Sequence, residues 1–185
     1  DTYLLRVGIQ AKKVSGEDRK PVHLTFLVDT SGSMGASDKL PLAKDALKML
    51  TRKLRGRDTV ALATYAGSTR EVLAPTGLTQ QQRILDAIDS LGAGGGTEME
   101  SGMKTAYSLA MRSFKPGHVN RVIVVSDGDA NIGAMSHEDI LTQIRSYVDE
   151  GVSLSTIGVG MGSYNDTMME QLANKGNGNY YYIDG

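Results

Sequence analysis

Asp29-Thr-Ser-Gly-Ser33 puts one carboxylate and three hydroxyls into five consecutive positions, directly after the apolar run Pro21 to Val28. Two further polar clusters, Gly94-Gly-Gly-Thr97 and Ser126-Asp-Gly-Asp-Ala-Asn131, stand in loops beside predicted regular elements. Several chemistries could use such oxygens. A nucleophilic serine in an α/β chain sits on a G-x-S-x-G elbow with a later histidine, and neither Ser31 nor Ser33 has that frame. The later histidines are His118, just before a strand and so expected at the other end of a sheet, and His137, in a helix's first turn. Ser101-Gly-Met-Lys104 matches S-x-x-K, but no S-D-N or K-T-G follows it. The lone Asp29-Thr-Ser-Gly is out of frame for the paired loops of an aspartic protease. Gly92-Ala-Gly-Gly-Gly-Thr97 lacks the G-K-[ST] ending of a phosphate loop, and Gly158-Val-Gly-Met-Gly162 has the wrong spacing for a dinucleotide. A hard-metal site accounts for more. Mg²⁺ takes about six oxygens at about 2.0–2.1 Å, often including waters. Alternation lets Asp29, Ser31 and Ser33 aim three oxygens at one point, and Thr97 and Asp127 could close the remaining sides.

The elements that must bring these loops together are legible in the periodicities. Leu5, Val7, Ile9 and Ala11 alternate with polar residues and predict a half-buried strand, with a turn over Ser15–Lys20. His23–Val28 is a more continuously apolar run, as expected for a central strand covered on both faces. Ala43, Leu47, Leu50 and Leu54 share one face of a helix over Lys39–Leu54. Strands follow at Asp58–Ala66 and, as a short edge, Thr69–Ala74. Thr79-Gln-Gln-Gln82 predicts a capping box opening a helix to Leu91, and a second helix runs from about Glu98 to Phe114. Val119–Ser126, Val152–Val159 and Asn179–Ile183 are strands; helices start near Ser136 and span Asp166–Lys175. Strands alternating with helices predict a Rossmann-like, doubly wound, mainly parallel sheet flanked by helices, with antiparallel strands added at an edge. Ligands of such sheets bind outside the carboxyl ends of the strands, and there the three polar clusters fall.

The 185 residues suffice for one domain, with an N-terminal strand and turn over 1–20 and a core over 21–185. With 20 basic against 21 acidic side chains, the net charge of −1 offers no electrostatic reason to expect nucleic acid. Cysteine is absent, which removes disulfides, thiolate metal sites and Cys nucleophiles; with no suitable histidine either, Zn²⁺ and Cu are disfavoured. No apolar run reaches transmembrane length, so no direct membrane insertion by this stretch is expected. The start lacks an initiator Met and a signal-peptide pattern, and reads as a piece cut from a longer chain.

Asp29-Thr-Ser-Gly-Ser33 resembles the D-x-S-x-S motif of von Willebrand factor type A (VWA) domains. Thr97 in Gly-Gly-Gly-Thr and Asp127 in Val-Ser-Asp-Gly resemble the other two members of that family's metal-ion-dependent adhesion site. The likeness covers about Val22 to Ile183. Leu40-Pro-Leu-Ala-Lys-Asp-Ala-Leu47, Asn120–Asn131 and Gly176-Asn-Gly-Asn-Tyr180 further resemble a bacterial subfamily found within larger cell-envelope proteins. The resemblance implies that Ser31, Ser33 and Thr97 bind Mg²⁺ (Mn²⁺ or Ca²⁺ as alternatives) through hydroxyls, with Asp29 and Asp127 binding directly or through water. It also implies a non-enzymatic adhesion module whose protein partner supplies an Asp or Glu carboxylate. A second expectation is an intracellular VWA module for complex assembly or metal insertion beside an ATPase. Thr97 has a competing role, because Thr97-Glu-Met-Glu100 is itself a capping-box sequence. Met34 is expected to pack beneath its loop, and Met99, Met135 and Met161 to form an adaptable apolar rim around the site.

Overall fold

The computed structural model describes residues 19–128, 137–160 and 166–183. The strand expected over Leu5–Ala11, the helix start at Ser136, and Asp129, Asn131, Met135 and Met161 lie outside the described residues.

Six described strands form one sheet: β1 (Val22–Asp29), β2 (Thr59–Tyr65), β3 (Thr69–Gly77), β4 (Val119–Ser126), β5 (Val152–Val159) and β6 (Tyr180–Ile183). Their spatial order is β3-β2-β1-β4-β5-β6. All neighbours are parallel except β2 and β3. The predicted mainly parallel, Rossmann-like sheet with an antiparallel edge is therefore the observed one. β3 runs on to Gly77, past the Ala74 expected, through Pro75. An edge strand tolerates that proline, because its missing N–H can face away from the ladder.

The helices are α1 (Leu40–Lys53), α2 (Gln81–Asp89), α3 (Met99–Ser113), α4 (His137–Asp149) and α5 (Asp166–Lys175). Period-two alternation along β1 divides the core between the two faces of the sheet. Leu24, Phe26 and Val28 pack with α1 and α2, whereas Leu27 packs with α3, α4 and α5. The capping box expected at Thr79 is not formed. Leu78–Gln80 make a short 3-10 turn, α2 starts at Gln81, and Gln80 at its N-cap makes no side-chain capping bond. The reason is tertiary: Leu78 is buried and its N–H reaches the Asp58 carbonyl at 3.2 Å, so the chain is still committed to β2 at that point.

The order of strands places the site. From β1 the chain moves outward through β2 to β3, then returns to lay β4, β5 and β6 on the other side of β1. β1 and β4 are adjacent with Val28 opposite Val125, so their carboxyl ends, Asp29 and Ser126-Asp127, flank the point where the winding reverses. Glycine brings α3 onto the same edge. A Cβ on Gly102 would lie 2.7 Å from the Tyr65 Cβ, so no larger residue lets α3 sit this close to β2.

The opposite edge holds a paired imidazole. His23 Nε2 lies 2.8 Å from His118 Nδ1, the rings are stacked, and His23 Nδ1 lies 2.8 Å from Thr59 Oγ1. Burial lowers the His23 pKa, and His118 and Lys115 lower it further. The folded state thus takes up its proton at lower pH than the unfolded chain, which titrates near 6.5. Below about that pH the unfolded state binds more protons, so stability falls as pH drops. We expect the urea midpoint to be level from pH 8 to 7 and to decline towards pH 5, with the decline flattened in His23→Gln.

Candidate metal centre

Asp29 ends β1 on the face occupied by α3, fully buried. Its Oδ1 accepts the Ser31 backbone N–H at 2.8 Å, which curls the chain so that Ser31 and Ser33 follow on one loop. The two hydroxyl oxygens, Ser31 Oγ and Ser33 Oγ, lie 3.0 Å apart. Gly32–Gly35 then forms a 3-10 turn seated on Met34, which is fully buried as expected.

The second loop is tied to the first through backbone. Gly94 N–H donates to the Thr30 carbonyl at 2.8 Å, and Gly32 N–H donates to the Gly95 carbonyl at 3.1 Å. Gly95 has φ of 92° and approaches Gly67 so closely that a Cβ would stand 3.2 Å from its nitrogen, which is why glycine recurs here. Thr97 follows two residues later, half-buried. Its capping-box alternative is not realised: α3 begins at Met99 with Glu98 at the N-cap and no side-chain capping bond. The Thr97 hydroxyl is thus not engaged in capping that helix.

Asp127 supplies the third loop, just past β4. Ser126 donates its hydroxyl to Asp29 Oδ2 at 3.0 Å and accepts the Gly128 N–H at 3.1 Å, joining the first and third loops. Ser126 was not singled out from sequence. Strand alternation could have found it, because residue 126 faces the same side as Val124 and hence Asp29. Lys39, also missed, places Nζ 2.8 Å from Asp127 Oδ2. The structure therefore ties Asp29 to Ser31 and Ser31 to Ser33, brings the Asp127 loop to Asp29 through Ser126, and joins the Thr97 loop to the first through backbone.

Burial raises the Asp29 pKa, opposed by its bonds from Ser31 and Ser126, and the Asp127 charge adds to the rise. Beneath them the Tyr65 hydroxyl is buried beside Asp29 and Ser126; burial drives its pKa well above the usual value, and the Asp29 charge reinforces this. Asp29 and Asp127 thus set two buried carboxylates at the carboxyl ends of adjacent parallel strands.

The donor chemistry fits a hard divalent ion: carboxylate and hydroxyl oxygens, with no thiolate or imidazole. Asp127 already attracts one cation, the Lys39 ammonium. No group of three or more His, Cys, Asp or Glu side chains is positioned for a metal among the described residues, so any ion here would depend on the hydroxyls. Among the described side chains, those of the hydrolase alternatives are engaged elsewhere. Ser101 Oγ bonds Thr69 Oγ1 at 2.6 Å, Lys104 pairs with Glu100 at 2.7 Å, and His23 and His118 stand at the far edge of the sheet. Met99 is fully buried in the core beneath the sheet edge, so the expected methionine rim loses that member. The α3 register turns Met99 inward with Met103 and Ala106.

The family model for the von Willebrand factor type A domain matches residues 23–185. The chain belongs to the VWA family. An uncharacterized Escherichia coli protein, YfbK, is 42% identical over 181 residues, covering 98% of this chain and 32% of that protein. This VWA domain thus spans about a third of that relative's length. Among solved structures, BatB from Bacteroides thetaiotaomicron superposes with a TM-score of 0.72 at 22% identity, covering 89% of this chain and 91% of that one. Manganese-loaded TRAP from Plasmodium vivax gives a TM-score of 0.72 at 22% identity, covering 89% and 69%. At these identities the two structures speak for the fold.

Proposed function

We propose that this VWA domain is a non-enzymatic protein-binding module that works through a divalent cation, Mg²⁺ by preference with Mn²⁺ or Ca²⁺ as substitutes. Asp29, Ser31, Ser33, Thr97 and Asp127 hold the ion, and an Asp or Glu of a partner protein completes its coordination. The observation that carries this reading is the joining of the Asp29, Ser31–Ser33 and Asp127 loops through Ser126 at the switch point of the sheet. That a protein of the same fold was solved loaded with manganese supports the cation reading.

When bound, the ion supplies a strongly electropositive position at the sheet edge. The chain's own groups orient it and set its charge. Asp29 is held from both oxygens, so it needs no rearrangement to serve. Ser31, Ser33 and Thr97 contribute neutral hydroxyls, which leave a divalent charge incompletely neutralised and so favour an anionic group from outside. No imidazole stands beside the cluster among the described side chains to act as a general base, which supports binding without turnover.

Ser126→Ala should weaken Mn²⁺ binding about 10- to 100-fold, the usual penalty for losing a group that orients a ligand. Calorimetric titration beside wild type measures it, and unchanged affinity would remove Ser126 from the site. The function itself is tested by capture of the cognate partner on the immobilised domain with Mg²⁺ and with chelator. Capture should vanish in chelator and return on adding Mg²⁺. Capture indifferent to chelator would reduce the ion to a structural role.

A further inference from the structure

Lys39 reaches the candidate metal centre from outside the five positions assigned to it. We propose that Lys39 is a tethered cation that competes with the divalent ion for Asp127 and thereby sets the affinity of the site. The proposal rests on the reading of Asp127 as a metal-binding residue.

Three features build this contact. Lys39 Nζ lies 2.8 Å from Asp127 Oδ2, with the Asp127 side chain 1% exposed and that of Lys39 21% exposed, so water screens the pair poorly. The lysine's starting point is anchored at the N-cap of α1, where its N–H bonds the Ala36 carbonyl at 3.1 Å and its carbonyl accepts the Ala43 N–H at 2.8 Å. Its stem passes over Gly160 at the end of β5, where a Cβ would stand 2.8 Å from Lys39 Cγ and 2.9 Å from Cε. Gly160 also has φ of 96°, a conformation that side chains disfavour. The backbone at the end of β5 therefore leaves room for the aliphatic stem, and a flexible ammonium is well suited to arrive and withdraw along it.

Competition follows from charge. Mg²⁺ draws its oxygens to about 2.0–2.1 Å, and an ammonium on the same carboxylate both occupies its lone pairs and repels the incoming ion. A metal that binds must displace Lys39 or tolerate it, and either lowers affinity. The lysine in return neutralises a buried carboxylate whose charge would otherwise be costly.

The test is calorimetric titration with Mn²⁺ of wild type, Lys39→Met and Lys39→Arg, paired with thermal melts in chelator and in Mn²⁺. Lys39→Met should bind Mn²⁺ on the order of tenfold tighter, the scale of effects from groups bordering a metal. It should melt below wild type in chelator and gain more from Mn²⁺ than wild type does. Lys39→Arg, which keeps the charge, should stay within a few-fold of wild-type affinity. Unchanged or weaker binding by Lys39→Met overturns the proposal while wild-type binding leaves the metal site standing. Equal tightening in Lys39→Arg also overturns it, by pointing to packing rather than charge. If neither wild type nor Lys39→Met binds the ion, both the proposal and the metal site fall.

Discussion

Asp29→Ala is expected to abolish Mg²⁺ and Mn²⁺ binding in calorimetric titration without unfolding the domain. Asp29 is fully buried and stands between the Ser31 N–H and the Ser126 hydroxyl, so it ties the first loop to the third. Its removal deletes one of the two carboxylates proposed to hold the ion, together with the group that aligns the others. The loss should exceed the roughly 10- to 100-fold expected when only an orienting group is removed. Stability in chelator should change much less, because burial already works against this carboxylate's charge, as its raised pKa records. Two opposed terms remain: relief from a desolvated charge, and two donors left without their acceptor. A circular-dichroism melt separates loss of binding from loss of fold. Undiminished affinity in Asp29→Ala would remove the metal centre as described.

Gly178→Ala is expected to destabilise the domain by about 3 kcal/mol or more, the upper range for forcing atoms into a packed interior. In a domain of this size that is a fall in melting temperature of roughly 6–12 °C. A Cβ on Gly178 would stand 2.0 Å from the Leu154 carbonyl oxygen and 2.6 Å from Ser155 Oγ. The obstacle is the backbone of β5, which is paired on both sides by β4 and β6 and cannot yield cheaply. Gly176 shows the same close approach, with a Cβ 2.5 Å from that of Leu154, while its carbonyl accepts the Leu154 N–H at 2.8 Å. The turn after α5 is thus pressed directly onto β5. Thermal melting measures the effect, and a shift under about 2 °C would mean that the turn can lift away, given roughly 2–4 °C per kcal/mol.

The main elements were legible because their signals are local. β4, β5 and α5 have the predicted bounds, Val119–Ser126, Val152–Val159 and Asp166–Lys175, and α1 differs from expectation by one residue at each end. Continuous apolar runs and a helical repeat depend on neighbours in sequence, and burial on both faces of β1 follows from them. Neither the capping box expected at Thr79 nor the competing one at Thr97 forms, and for one reason. Thr79 and Thr97 carry the right residues at the right spacing, yet Leu78 is held by Asp58 and the Thr97 loop by Thr30 and Gly32. Long-range backbone bonds set where each helix begins. Met99 went astray similarly, since one residue of helix register separates a rim position from the core.

For the candidate site, the residue types and their order along the chain already named Asp29, Ser31, Ser33, Thr97 and Asp127, because an oxygen-only donor set in loops after strands admits few chemistries. What sequence alone determined was therefore the family, the winding of the sheet and the inventory of oxygens. Only the tertiary structure could show that Ser126 bridges Asp29 to the third loop and that Lys39 rests on Asp127. Those contacts join residues 97 and 88 positions apart in the chain. No periodicity reaches so far. They exist because parallel pairing sets β1 beside β4 and because Gly160 leaves a path for the Lys39 stem, and both are properties of packed backbone rather than of any local stretch of sequence.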